Sequence, residues 1–292
     1  MRKLMDNETP QGVSDEWNTI PWRKLERYIY RLQKRIYKAK QRGDTRAVRG
    51  IQRMLARSKA AKTLAVRQVT QDNRGKRTAG IDGVKNLNPK ERLEMTTRLS
   101  LKGNASPVRR GWIPKPGKTE RRPLGIPTMA DRAKQAVAKM VLEPEWEAIF
   151  EPNSYGFRPG RGCHDAIEQI HIVMREEKYV LEADIKGCFD NINHEALLKK
   201  VNNPALRPLL QGWLKAGIMD QGVFQETDQG TPQGGVISPL LANIALHGIE
   251  EDTRNALKTV LKNADKPAHR GWDRVRRQLQ IVRYADGTPV QA

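Results

Sequence analysis

Residues 179–194 read YVLEADIKGCFDNINH. The apolar run 179–185 is strand-like, and Lys186-Gly187 turns the chain after it. That strand carries one carboxylate, Asp184, to its tip. Near the C-terminus, LQIVRYADG at 279–287 repeats the device. Leu279, Ile281 and Arg283 alternate with Gln280, Val282 and Tyr284 before Asp286. A single Asp after a strand is ordinarily a turn or capping residue. Two on adjacent strands offer the oxygen ligands that hard divalent cations take. A pair of such cations activates an attacking hydroxyl and steadies a leaving phosphate oxygen.

Working outward, the chain of 292 residues carries a formal net charge of +20. Solubility alone does not require an excess of that size, and it points to a polyanionic partner, nucleic acid before membrane. No apolar run is long enough to span a bilayer and no signal peptide is read, so no membrane role is expected. The two cysteines, Cys163 and Cys188, supply neither a disulfide framework nor zinc spacing and read as small core residues. A reducing, cytoplasmic compartment is expected. The five histidines do not pair at metal spacing; His164 and His194 read as caps or surface residues.

Apolar positions Trp22, Leu25, Ile29, Leu32 and Ile36 alternate by three and four, one stripe of an amphipathic helix. A second helix is expected from Val48 towards Val69. Arg27, Arg31, Lys34, Arg35, Lys38, Arg49 and Arg53 lie off these stripes. Charged faces usually only solvate a helix, but acids are scarce here, so phosphate contact is the favoured reading. The segment 107–128, PVRRGWIPKPGKTERRPLGIPT, reads as a hairpin around a basic Pro-Gly loop. Further helices are expected over Ala130–Ile149, after SYGFRPGRG, after Asn193, and over Leu206–Leu214. In GTPQGGVISPLLANIAL a glycine turn feeds a helix with Ser238 at N-cap and Pro239 at N1. Residues 258–277 read as irregular. Strands and helices alternate without βαβ regularity, which indicates an α+β class.

In this order, TAGIDG (78–83), RRGWIPKPGKTERRPLGIPT (109–128), NSYGFRPGRGCHDAI (153–167), YVLEADIKGCFDNINH, GTPQGGVISPLLANI and RYAD resemble the group II intron-encoded reverse transcriptase/maturase family. Each motif is weak alone; the ordered series is specific. Retron and diversity-generating reverse transcriptases share the palm, but TAGIDG and RRPLGIPT favour the intron family. A basic ribosomal-type protein would not explain the order. The resemblance implies right-hand polymerase fingers and palm, with an antiparallel palm sheet preceded by basic N-terminal helices. The implied division is a basic helical region at 1–75, a fingers-like region at 76–175 and a palm at 176–292.

It further implies an RNA-directed DNA polymerase acting with two Mg²⁺ ions on an RNA template, a DNA primer and dNTPs, and binding intron RNA for splicing and mobility. Asp184 and Asp286 would be catalytic metal ligands, joined by the carbonyl of Ile185. Lys115 and Arg122 would hold the triphosphate. Phe189 would lie under the incoming sugar, where a flat ring leaves no room for a 2′-hydroxyl, although an isolated Phe is by default a core residue. Gln233 would lie by the nascent base pair. Arg158 and Arg161 precede a helix N-terminus, where template phosphate could bind as readily as solvent. Asp190 and Asn191 read as turn residues.

The chain departs from the family where Tyr-Ala-Asp-Asp becomes Tyr284-Ala285-Asp286-Gly287. After it, Pro289 removes a ladder donor where the return strand should pair. The expectation is therefore a truncated palm without a thumb, with the polymerase activity of this chain impaired by the truncation. The return strand would be short or missing and 279–284 an exposed or poorly supported edge. The competing expectation is a non-catalytic remnant that grips intron RNA.

Overall fold

The computed structural model describes residues 16–114, 117, 119, 121–174, 180–263, 279–285 and 287–291. Lys115 and Asp286 lie outside the described residues.

Three helices open the fold: α1 (Trp22–Gln41), α2 (Thr45–Arg57) and α3 (Lys59–Arg67). The stripe of α1 buries Ile29, Leu32, Ile36 and Ala39. The expected second helix is two helices. Ser58 adopts an extended φ/ψ, ends α2, and caps α3 by accepting from the Ala61 amide. Helix α4 (Pro89–Arg98) was not anticipated. Asn88 caps it, Pro89 opens it, and Glu91 returns a bond to the Asn88 amide, a complete capping box.

The hairpin forms as β1 (Val108–Pro114) and β2 (Arg121–Ile126), antiparallel, with Ile113 opposite Arg122. Helix α5 (Met129–Glu147) follows, then α6 (Cys163–Val173), β3 (Val180–Asp184), α7 (His194–Val201) and α8 (Arg207–Leu214). Two short strands, β4 (Ile218–Asp220) and β5 (Val223–Gln225), add to the hairpin in the order β2-β1-β4-β5, and β4 runs parallel to β1. Helices α9 (Ser238–Leu246) and α10 (Ile249–Asn263) come next. α10 replaces part of the stretch expected to be irregular. α9 starts one residue earlier than anticipated, so Ser238 lies inside it and its hydroxyl receives a bond from Thr231 instead of capping.

The C-terminal strands overturn the expected exposure, although 280–281 still forms an edge of its sheet. β6 (Gln280–Ile281) and β7 (Gly287–Gln291) form an antiparallel sheet with β3 in the order β3-β7-β6. The return strand is present and central. Pro289 opposes Glu182 of β3, whereas β6 reaches only Val290 and Gln291. At Pro289 the strand therefore has a neighbour on one side, where a missing donor is tolerated as on an edge. Leu279, Ile281, Val282 and Arg283 are buried, not exposed.

One hydrophobic cluster runs through Ile36 and Leu55 of the first two helices, Leu142 of α5, Leu198 of α7, Leu210 of α8 and Ile244 of α9. The N-terminal helices and the segment after residue 192 thus share a core. Each fully buried Leu or Ile in it contributes about 1.5–3 kcal/mol. Of the two cysteines, Cys188 is buried, but Cys163 is exposed, contrary to its reading as core. His194 is buried as well, and its Nε2 donates to the Gly230 carbonyl at 2.7 Å. No described helix is long and apolar enough to cross a membrane.

Candidate active site

The turn after β3 sets the first part of the site. Gly187 takes a left-handed φ of 62°, and a short 3₁₀ turn over Cys188–Asp190 follows. The Asn191 amide clasps it by donating to the carbonyls of Lys186 and Gly187. Asn191 therefore serves the turn. Asp184, at the end of β3, is exposed and has no ion-pair partner among the described residues, although the chain is strongly basic. Its register partner across the sheet is Gly287, the residue that follows Asp286.

The glycine turn 230–235 is strapped to this loop and to the hairpin. The Gly230 amide donates to Ile192 O at 2.8 Å, the Thr231 amide to Phe189 O at 2.7 Å, and the Gly125 amide of β2 to Gln233 O at 2.7 Å. Gly230 is required by geometry. Its φ is +84°, and a Cβ there would sit 2.7 Å from the Asp190 carbonyl oxygen.

These straps draw Arg122, Phe189 and Gln233, from three separate segments, around one cleft of about 450 Å³. Arg122 is exposed at its wall, Phe189 half-buried in it. A residue missed from sequence completes it. Phe157 stands at 6.0 Å from Phe189, edge to face, and is 47% exposed. Its φ of +60° is rare for a bulky residue and costs about 1–3 kcal/mol. The only sequence signal for Phe157 is its place between the turn residues Gly156 and Pro159.

The Phe157 loop is held against the Tyr284-Ala285 tip by a buried polar lattice, also missed. Arg283 is 2% exposed. It donates to Ser154 Oγ at 2.7 Å, Asn243 Oδ1 at 3.1 Å and Ala285 O at 3.2 Å. Asn243 in turn donates to Gly156 O at 2.8 Å. Backbone bonds run from Tyr155 N–H to Arg283 O and from Arg283 N–H to Asn153 O. Gly156 lies so close that a Cβ there would clash with the Ala285 backbone. Glu151 borders the lattice. The His247 imidazole donates to it at 3.0 Å, and the Gly248 amide donates too. Burial alone would raise its carboxyl, but these bonds outweigh it and hold the pKa at about 2.

The expected RNA contacts divide. Arg27, Arg31, Lys34, Arg35, Lys38 and Arg53 are exposed on α1 and α2. Arg49 is engaged inside the protein, bonded to Glu145 at 2.7 Å, Gln52 at 2.7 Å and Asn202 O at 2.8 Å. Arg158 is buried against Glu147 at 2.7 Å and donates to the carbonyls of Glu151 and Ser154. Arg161 donates to Pro152 O and Ser154 O. The Gly162 amide at the start of α6 is already taken by the Asp165 carboxylate at 2.5 Å. Arg158 and Arg161 build the Phe157 loop, and the Gly162 amide is not free for a template phosphate. The buried groups around Arg158 satisfy the guanidinium donors that a phosphate would need.

Among the described residues, no three His, Cys, Asp or Glu side chains gather as metal ligands. Asp184 and the Ile185 carbonyl are nonetheless oxygen donors of the type Mg²⁺ takes, and one or two protein carboxylates suffice for that ion.

The family profile "Reverse transcriptase (RNA-dependent DNA polymerase)" matches residues 113–290. The chain belongs to the reverse transcriptase family. The profile for the N-terminal domain of reverse transcriptase matches residues 17–99, over the basic helices. Within the family, the chain is similar to group II intron-encoded proteins. It is 43% identical over 149 residues to the group II intron-encoded protein LtrA of Lactococcus lactis, an alignment of 50% of this chain and 25% of LtrA. It is 36% identical over 199 residues to protein YkfC of Escherichia coli, over 63% of this chain and 52% of that one. A maturase-like protein of Euglena gracilis is 28% identical over 78% of this chain and 51% of its own. The chain spans between a quarter and about half the length of these relatives.

Proposed function

We propose that this chain is an RNA-directed DNA polymerase that extends a DNA primer on an RNA template and also binds intron RNA. The observation that carries the proposal is the cleft in which Arg122, Phe189 and Gln233 meet, on the turn that leaves Asp184. Asp184, the Ile185 carbonyl and Asp286 would hold two Mg²⁺ ions, which would supply activation of the primer 3′-hydroxyl and charge neutralisation of the pyrophosphate. Gly287 in place of a second carboxylate leaves this set with two acidic side chains.

The protein's own residues do the positioning. Arg122, with Lys115 across the hairpin loop, meets the triphosphate of the incoming dNTP. Phe189 packs under its sugar and excludes a 2′-hydroxyl. Gln233 lies against the new base pair. The exposed charges of α1, with Arg53, hold RNA by its phosphates.

Primer extension on an RNA template with Mg²⁺ tests this reading. Extension by the intact chain and none by Asp184→Ala, with RNA affinity unchanged, is the expected pattern. Equal extension by both would refute the catalytic assignment. Absence of extension by either, with salt-sensitive RNA binding retained, would favour a purely RNA-binding protein.

A further inference from the structure

A second cavity, of about 470 Å³, lies between α2, α3, the segment after α4 and the loop before α8. It shares no lining residue with the Arg122–Phe189–Gln233 cleft. Its volume falls within the range of small-molecule sites. Four cations rim it: Arg53, Arg57, Lys62 and Lys102. None of the four has a carboxylate partner among the described residues, and no acidic residue lines the cavity. That contrasts with Arg49 at the cavity's edge, whose charge Glu145 already meets.

The floor is apolar, with Ala56, Leu101 and Leu206. Below it the polar groups are spent on one another: Asn203 donates to Gln52 at 3.1 Å, and Gln52 donates to Val141 O at 3.2 Å. The floor therefore offers surface without unmet hydrogen bonds, while the rim offers unmet positive charge.

Holding four like charges around one hollow is unfavourable unless an anion shares it. An occupant that fits carries negative charge outside and an apolar body inside. We infer that this cavity binds a nucleotide unit, with the base on the Ala56–Leu101–Leu206 floor and the phosphate among Arg53, Arg57, Lys62 and Lys102. The unit comes from an unstacked base of single-stranded RNA or from a free nucleotide. The chemistry is shared, and the test separates the two sources. A base unstacked from RNA would be gripped outside the catalytic cleft, anchoring the strand at a second point.

The test uses the purified chain, with 5′-AMP by calorimetry and a fluorescent RNA tetranucleotide, with or without a central abasic site, by anisotropy. Ala56→Trp fills the floor and keeps every charge; Arg57→Gln alters only the exposed rim. Thermal melting confirms folding, and Arg57→Gln serves alone if Ala56→Trp does not fold. The expected result is a loss of roughly tenfold in affinity on filling the floor, the scale of one buried base.

Loss for the intact RNA but not for its abasic counterpart assigns the base to RNA. Loss for AMP alone assigns it to a free nucleotide. Both outcomes support the site. Binding of inorganic phosphate or of an oligoglutamate peptide as tight as that of AMP would overturn it. Affinities unmoved by Ala56→Trp and Arg57→Gln would do the same.

Discussion

Replacing Arg283 by Met removes the centre of the lattice that pins the Tyr284-Ala285 tip. The side chain is nearly the same length, so packing changes little while every donor is lost. Ser154 Oγ, Asn243 Oδ1 and Ala285 O each lose a bond of 2.7–3.2 Å inside the protein. A buried group left unsatisfied costs about 1–3 kcal/mol. Glu151 is 3.9 Å from Arg283 and keeps its bonds to His247 and Gly248, so its own charge stays compensated. The total is about 3–5 kcal/mol, the range for breaking a buried charged group out of its network. For a chain of this size that lowers the melting temperature by roughly 10 °C. Urea unfolding of the wild type, Arg283→Met and Arg283→Lys measures it directly. Lys cannot reach three acceptors in three directions and is expected to recover less than half the loss. A loss under about 1 kcal/mol for Met, or full recovery with Lys, would refute the view that the guanidinium fork holds this tip.

The remaining predictions concern charge and backbone. Glu151 has its pKa depressed to about 2 by the His247 and Gly248 bonds. The stability it contributes is complete above the ordinary carboxylate range and is lost as pH falls through 2. Glu151→Gln should therefore flatten the acid limb of a melting-temperature profile below pH 5; an unchanged limb would contradict the depression. Gly230→Ala places a Cβ 2.7 Å from the Asp190 carbonyl at a φ of +84°. It should cost about 1–3 kcal/mol in chemical denaturation, and a neutral result would show that the turn relaxes freely. Neutralising Arg27, Arg31 and Lys34 together should reduce the slope of log K against log salt for single-stranded RNA by roughly 2, at about 0.7 per phosphate contact. An unaltered slope would remove α1 from the RNA surface.

The elements that sequence made legible are those with a strong local signal. The three-and-four spacing of Ile29, Leu32 and Ile36 marks α1. Asn193 before an apolar run marks α7, and its side chain does accept from Ala196. The break at Ser58 is hidden because helical periodicity continues through it; only the extended backbone of one residue separates α2 from α3. Strands β4 and β5 are too short to show alternation. Their turn depends on positive φ at Gln221 and Gly222, of which only the glycine announces itself. β7 was misjudged because Pro289 argues against a central strand. The error disappears once β6 is seen to end before reaching it.

For the site, the cleft gathers Arg122, Phe189 and Gln233, three of the residues expected to bind nucleotide, while Asp184 and Ile185 do not line it. Arg283, Asn243 and Phe157 went unnoticed for a physical reason. Their roles depend on contacts between segments separated by tens of residues, and no local pattern encodes these. Arg158 misled in the opposite sense. An arginine in a glycine loop before a helix resembles a phosphate ligand, and its burial against Glu147 depends on tertiary packing.

The most direct test of the central claim is sugar discrimination by Phe189→Ala in single-nucleotide extension on an RNA template. If Phe189 floors the nucleotide cleft, the variant still incorporates dNTPs while its preference for dNTP over rNTP falls by at least about tenfold, the scale of one steric contact of 1–3 kcal/mol. A preference equal to that of the wild type, with extension intact, would contradict the assignment of this cleft to the incoming nucleotide.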